Sequence, residues 1–191
     1  MSSTQFIPKN AELVFTGVRS QIYQWDQDMY DGTIARFERI RFIDASFVLP
    51  ILSDGRILLT HQEQPGRSQF ISLPGGSFDS PLEDPLDCAR RELMEETWYQ
   101  SDVMQKWITF HGTNNAYTEV HYYIARDCYR VWDIVPDSGE KIELFIVTFD
   151  ELLWLSSDPW FHHHWNLLPI FYEARLYPEK REALKKLFYA Q

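Results

Sequence analysis

The stretch GGSFDSPLEDPLDCARRELMEETW, Gly75 to Trp98, decides how this chain is read. It opens as loop text, with two adjacent glycines that permit close backbone approach. At Asp84-Pro85 it turns into a helix: Asp84 suits the N-cap, Pro85 the first helical position, and Asp87 the first turn, where the dipole favours an anion. Leu86, Ala89, Leu93 and Thr97 recur at helical spacing and are expected on the core face. The far end is the puzzle. Glu92, Glu95 and Glu96 crowd the last turns, where a helix already carries partial negative charge. Positions three and four apart share a face, so the carboxylates repel one another as well as the dipole. Arg91 can pair with one of them, but one cation does not neutralise three anions. Either the face is simply solvated, the usual fate of such a charge run, or a cation sits among the carboxylates. Hard divalent ions take oxygen ligands, and magnesium typically combines one or two carboxylates with substrate phosphates and water.

Outward from that helix the text is mostly strand. Glu12 to Phe42 reads as strands around a Tyr30–Gly32 turn, and Ala45 to Leu52 as a continuous apolar central strand. Ser53–Gly55 makes a hairpin turn before RILLTHQ, Arg56 to Gln62. The stretch SLPGGSFDSPLEDP is expected as loop throughout. Further strands fall at KWITF, EVHYYIA and EKIELFIVTF, and the tail from Asp150 onward reads as two or three helices. Strands, one loop and helix, more strands and terminal helices make a mixed α/β (α+β) architecture rather than regular βαβ winding.

Composition narrows the partners. The 191 residues fit one globular domain, with at most a small extension, and 16% aromatics promise an aromatic-rich interior. A formal net charge of −10 argues against a nucleic-acid polymer or an anionic membrane surface, both of which require a basic face. The 2 cysteines, Cys88 and Cys128, have no zinc-type spacing. The opening MSSTQFIPKNAE has no basic region followed by an apolar run, and no stretch is long enough to span a bilayer, so a cytoplasmic location is expected.

From Glu83, seven residues lead to Arg91-Glu92-Leu93-Met94-Glu95-Glu96. This segment resembles the Nudix box, G-x5-E-x7-R-E-U-x-E-E-x-G-U, where U is a bulky apolar residue. The resemblance implies a mixed sheet sandwiched by helices, with Glu92, Glu95 and Glu96 holding Mg2+ (or Mn2+) on a substrate diphosphate. It implies that Arg91 orients them, that Glu83 assists, and that Glu95, Glu96 and Arg91 belong to the catalytic set. Two departures stand out: six residues rather than five separate Gly76 from Glu83, and Trp98 takes the place of the family's glycine. A helix commonly ends on a left-handed glycine, and an L-residue there costs about 1–2 kcal/mol. The helix exit is therefore expected to differ locally.

Beyond the box, Tyr30 to Gly76 is similar to the ADP-ribose pyrophosphatase-like branch. By that likeness residues 1–43 form an N-terminal antiparallel β extension that exchanges across a homodimer, and 44–191 the catalytic domain. The substrate implied is a nucleoside diphosphate linked to another moiety, ADP-ribose or a nucleotide sugar. A non-catalytic nucleotide sensor and a hydrolase of dinucleoside polyphosphates or nucleoside triphosphates are the alternatives. In place of the branch's loop glutamate stands Glu119, which also suits the start of a strand; Glu140 is a weaker candidate base. Gly75, Gly76, Arg41 and Arg67 are candidates for substrate contact, since arginine suits bidentate phosphate recognition, though surface ion pairs serve equally for the two arginines. Trp25, Tyr30 and Tyr117 are stacking candidates or core. The run FHHHW (Phe161–Trp165) is expected as a helix-start surface, because three consecutive histidines cannot face one point. Cys88 is expected to pack rather than react.

Overall fold

Alternation along ASFVLPIL sends Leu49 and Ile51 to one face of β4 (Ala45–Leu52) and Val48 to the other, all three buried. A strand apolar on both faces needs cover on both sides. In the computed structural model, which describes residues 6–66, 68–113, 115–131 and 141–190 apart from the side chains of His164 and Trp165, helices supply that cover. Helix α1 (Pro85–Thr97) lays Ala89 and Leu93 against Val48, Tyr123, Ala125 and Cys128. On the opposite face α2 (Phe149–Leu155), α3 (His164–Leu176) and α4 (Pro178–Tyr189) contribute Phe149, Leu152, Leu167, Phe171, Leu184 and Phe188. Each such side chain contributes about 1.5–3 kcal/mol on burial, so the two layers fix which side of the sheet α1 occupies.

β4 runs parallel to β11 (Glu119–Arg130), with Val120 opposite Ala45 and His121 opposite Ser46. On its other edge it pairs with β7 (Gly75–Ser77) at one end and meets β5 (Ile57–Glu63) at Ile51. Pro50 falls between these pairings: the Val48 N–H goes to Pro74 and the Leu52 N–H to Arg56, so the donor that proline lacks leaves no ladder bond broken. The sheet runs β12 (Lys141–Val147), β5, β4, β11, β8 (Tyr99–Gln100), with β6 (Phe70–Ser72) on β5 and β9 (Val103–His111) on β11. This is the expected mixed sheet between helices. The segment expected to be wholly loop in fact contains β7, held antiparallel to β4 by three residue pairs, because two glycines let its backbone come close enough to pair.

A second sheet is built from β1 (Glu12–Thr16), β2 (Ser20–Asp28) and β3 (Ile34–Phe42), all antiparallel. β10 (Ala116–Tyr117) joins it in parallel on β3, with Tyr117 opposite Arg41. No helix among the described residues is long and apolar enough to cross a membrane.

The histidine run departs from expectation. It does stand at the start of α3 and His162 is exposed, but Phe161 and His163 are buried, and His163 is the N-cap residue of α3 at 2% exposure. Ser72 Oγ donates its only hydrogen to the Leu73 carbonyl at 2.6 Å, so at 3.0 Å from His163 Nε2 it must accept. Nδ1 therefore accepts from the Tyr122 hydroxyl at 2.9 Å, which makes His163 a neutral Nε2–H imidazole. Burial, helped by His162, holds its pKa well below the ordinary histidine value. The unfolded chain binds this proton near pH 6.5 and the folded one does not, so the contribution to stability is complete above that pH and falls as the pH drops below it. Urea unfolding between pH 7 and pH 5 should show a loss of up to about 1.4 kcal/mol per pH unit from this site. The His163→Gln slope should be shallower, and an equal slope would show that His163 is not the group responsible.

Candidate active site

Asp84 caps α1 by accepting from the Leu86 N–H at 2.8 Å, and Cys88, Ala89, Leu93 and Thr97 turn inward, with Leu86 half-buried. That rotation sets the acidic face beside β7. Glu96 Oε2 accepts the Gly75 N–H at 3.0 Å, and Glu96 Oε1 accepts from Gln62 Nε2 at 2.9 Å. The Glu92 carboxylate lies so close to Gly76 that a Cβ added there would stand 2.6 Å from Oε1. Glu95 faces outward, its side chain 58% exposed. The glycine pair thus serves as the backstop of the ridge, with Glu92 and Glu96 packed against it.

Arg91 ties this ridge to the preceding loop. Its Nη1 donates to Glu92 Oε1 at 2.7 Å and Glu95 Oε2 at 3.1 Å, its Nε to Glu83 Oε1 at 3.0 Å, and its Nη2 to the Ser77 carbonyl at 3.2 Å. Asp79 is a further partner at 3.2 Å. The one-residue loop extension does not move Glu83 out of reach, because the Asp79 N–H folds back onto its Oε2 at 2.7 Å. The two carboxyls on either side of the guanidinium differ in proton affinity. Hydrogen bonding from Arg91 holds Glu83 below the usual carboxylate range, whereas burial, against the pull of Arg91, raises Glu92. A buried anion with incomplete compensation is a poor structural choice and a good cation ligand. Cys88, one turn earlier, is buried and its thiol is pushed up to about 12 by burial and by Glu83 and Glu92, which makes it a packing residue as expected.

The helix exit corrects the sequence reading. Trp98 does adopt the left-handed conformation, φ 58° and ψ 29°, and its N–H closes the last turn onto the Met94 carbonyl. The strain of about 1–2 kcal/mol is met by packing: the ring is half-buried under the Arg130 guanidinium at 5.6 Å. The exit a glycine would give is therefore retained.

Across β4 lies the second group. Since Val120, Ala45 and Ser77 stand in one row of the sheet, Glu119 lies two strand spacings from β7, about 10 Å. Glu119 opens β11, and its backbone N–H donates to Asp44 Oδ1 at 2.6 Å. Its carboxylate accepts from the Tyr117 hydroxyl and has His121 at 3.6 Å and His111 at 3.7 Å. Arg41 is half-buried and takes Asp44 bidentately, with its guanidinium 4.9 Å over the Tyr117 ring. Tyr117 is fully buried and Trp25 nearly so, so both belong to packing, while Tyr30 is an exposed turn residue. Arg67 and Glu140 lie outside the described residues. A cleft of about 270 Å³ runs between the β1–β2 turn (Thr16–Gln21), Arg41–Asp44 and the loop Phe78–Pro81. Arg19, which the sequence reading passed over, stands in its wall and donates to Ser77 Oγ at 2.9 Å. Gln62 was passed over too, although period-2 alternation from the buried Leu58 through Thr60 places it on the α1 side.

A hard divalent cation fits the donor chemistry of Glu92, Glu95, Glu96 and Glu83, which is oxygen only. Among the described residues no three acidic, histidine or cysteine side chains converge into a metal cluster as they stand. Arg91 occupies the space between Glu92 and Glu95, and Glu96 is turned toward Gln62 and Gly75.

Comparison with known proteins gives the same picture. A model of the NUDIX domain matches residues 42–169. The chain is 26% identical over 145 residues to the ADP-ribose pyrophosphatase of Bacillus subtilis (strain 168), covering 74% of this chain and 78% of that protein. It is 32% identical over 153 residues to a GDP-mannose pyrophosphatase of Yersinia enterocolitica, covering 72% and 79%. To the methanol dehydrogenase activator of Bacillus methanolicus it is 27% identical over 146 residues, covering 74% and 78%. A crystal structure of an ADP compounds hydrolase superposes with a TM-score of 0.70 over 91% of this chain and 94% of that one, at 20% identity, a likeness of fold. The matched span contains the glycine strand, the acidic ridge and Glu119 together, and the chain belongs to the NUDIX family, standing with its ADP-ribose pyrophosphatase-like members.

Proposed function

We propose that this Nudix pyrophosphohydrolase cleaves the diphosphate bridge of ADP-ribose, or of a nucleotide sugar, into a nucleoside monophosphate and a sugar phosphate. The observation that carries the proposal is the acidic ridge of α1 packed on a two-glycine strand, whose last residue, Ser77, accepts from Arg19 and leads into the Phe78–Pro81 wall of the cleft. Nudix hydrolases generally use divalent metals, and Glu92, Glu95 and Glu96, with Glu83 behind them, are the residues proposed to hold Mg2+ or Mn2+. Such an ion neutralises diphosphate oxygens and acidifies bound water.

The chain's own residues do the rest. Gly75 and Gly76, the glycines proposed for substrate contact, let β7 lie against β4 and the Glu92 carboxylate, where a Cβ would collide. Arg91 keeps Glu92 and Glu95 from splaying apart by bonding both. Arg19 offers its guanidinium to a phosphate or sugar oxygen at the cleft wall, in a geometry where arginine binds two oxygens at once. Arg41 holds Asp44, and Asp44 in turn holds the Glu119 backbone, so the arginine proposed for phosphate contact acts here through the wall of the cleft. Glu119 is the proposed base that takes a proton from the attacking water; its Tyr117 bond fixes the carboxylate's direction. The exposed Leu13, Val14 and Phe15 of β1 and Ile34 and Phe37 of β3 are the surface on which we place a second copy of the chain.

One experiment tests the reading. The purified chain is incubated with Mg2+ and, in parallel, ADP-ribose, GDP-mannose and other nucleotide sugars, dinucleoside polyphosphates and nucleoside triphosphates, and products are identified by chromatography. ADP-ribose should give AMP and ribose 5-phosphate, with a dimer mass by light scattering of the same sample. Binding without turnover would favour a sensor, and turnover of the polyphosphates alone would move the substrate class.

A further inference from the structure

Gln62 lies on β5, is 3% exposed, and reaches across to α1. Its Nε2 donates one hydrogen to Glu96 Oε1 at 2.9 Å and the other to Thr60 Oγ1 at 3.1 Å. The direction of this amide is not free. Thr60 Oγ1 donates its single hydrogen to the Ser72 carbonyl at 3.2 Å, so toward Gln62 it can only accept. That forces the NH2 end of Gln62, and not its oxygen, to the glutamate. The Gly75 N–H meets the other carboxylate oxygen at 3.0 Å. A relay of Ser72 carbonyl, Thr60 hydroxyl and Gln62 amide, all on buried residues of β5 and β6, thus ends on one oxygen of the acidic ridge.

We propose that Gln62 is a positioning residue for Glu96: it fixes the rotamer in which the carboxylate meets a divalent cation, without touching the cation or the substrate. The proposal rests on the reading of Glu96 as a metal ligand. Two NH donors, one from each side, leave Glu96 a narrow range of orientations, and ordered ligands bind metals more tightly than ligands that must first be ordered. Removing the partner of a ligand typically lowers metal affinity 10–100-fold. Glu92 and Glu95 share the Arg91 guanidinium, which a cation would have to compete with. Glu96 accepts from the Gln62 amide and the Gly75 N–H.

The test uses Mn2+ alone on the full chain, with binding followed by electron paramagnetic resonance of the free ion, and needs no turnover. Gln62→Met keeps the side chain's length and removes its hydrogen bonds. It should weaken Mn2+ binding about 10–100-fold while the far-UV spectrum and cooperative unfolding persist. Should that variant not fold, Gln62→Asn, which keeps the amide but withdraws it by one methylene, is measured in its place. The deciding measurement is the double variant with Glu96→Gln. If Gln62 acts through Glu96, the Gln62 substitution changes Mn2+ affinity no further in that background; an equal loss in both backgrounds would mean a general effect on the site and overturns the proposal. Wild-type affinity in the single Gln62 variant overturns it too. If Glu96→Gln itself leaves Mn2+ binding unchanged, the metal reading fails and takes this proposal with it, a result distinguishable from the other two.

Discussion

Replacing Glu96 with glutamine lowers kcat on ADP-ribose about 10²- to 10³-fold, the range found when one preorganised charge-stabilising group is removed. The substitution keeps volume and shape and deletes one negative charge. It also leaves the side chain with a single acceptor where the structure provides two donors, Gln62 Nε2 and the Gly75 N–H. One of those donors loses its partner, at a cost of about 1–3 kcal/mol. For a chain of this size that is a fall in Tm of roughly 2–12 °C, too little to unfold the protein at assay temperature. Steady-state kinetics at saturating Mg2+, paired with calorimetry, separates the two effects. Unchanged kcat would remove Glu96 from the machinery and with it the assignment of the ridge.

The second large effect distinguishes two neighbours that look alike in sequence. Gly75→Ala would put a Cβ 2.3 Å from the Ser46 carbonyl oxygen and 2.6 Å from Phe47 Cα, at a φ of +148°. Both obstacles are backbone of β4, which is sandwiched between helices and cannot yield. Backbone strain and overpacking each cost about 1–3 kcal/mol, so a loss of at least about 2 kcal/mol is expected. That corresponds to a fall of at least roughly 4–8 °C in Tm. The atoms nearest a Cβ in Gly76→Ala are those of the Glu92 carboxylate, 2.6 Å to Oε1 and 2.9 Å to Oε2, the far end of a flexible side chain. Glu92 swings aside, stability changes by less than about 1 kcal/mol, and kcat falls at least about 10-fold, since a displacement near 1 Å of a reacting constellation can cost 10²-fold. Calorimetry separates the pair, and kinetics on the Gly76 variant reads Glu92: an unchanged kcat there would mean that Glu92 has no part in the reaction.

The sequence made much of this legible because the decisive elements are local. The helix over 85–97 follows from Asp84, Pro85 and the 3.6-residue apolar stripe, and the cap bond from Asp84 is there. The central strand over 45–52 follows from an unbroken apolar run. What escaped was set by tertiary pairing. β7 and β10 are three and two residues long, and no period can be read from so few positions. Trp98 takes a backbone conformation that its own chemistry disfavours, because the closing bond to Met94 and the packing under Arg130 outweigh the local cost. His163 was misread as surface because a polar residue in a polar run gives no sign that Ser72 and Tyr122, distant in sequence, will satisfy both its nitrogens. Alternation gives the face of Gln62, but the partners of Gln62 and Arg19 are not legible, because Glu96 and Ser77 are 34 and 58 positions away.

β10 is only two residues long, yet it hydrogen-bonds the outer sheet to the chain just ahead of Glu119. Arg41, Asp44 and Tyr117 bind the same junction from both sides. The second sheet is thereby tied to the first residue of β11, so the placement of Glu119 depends on strands that lie outside the central sheet.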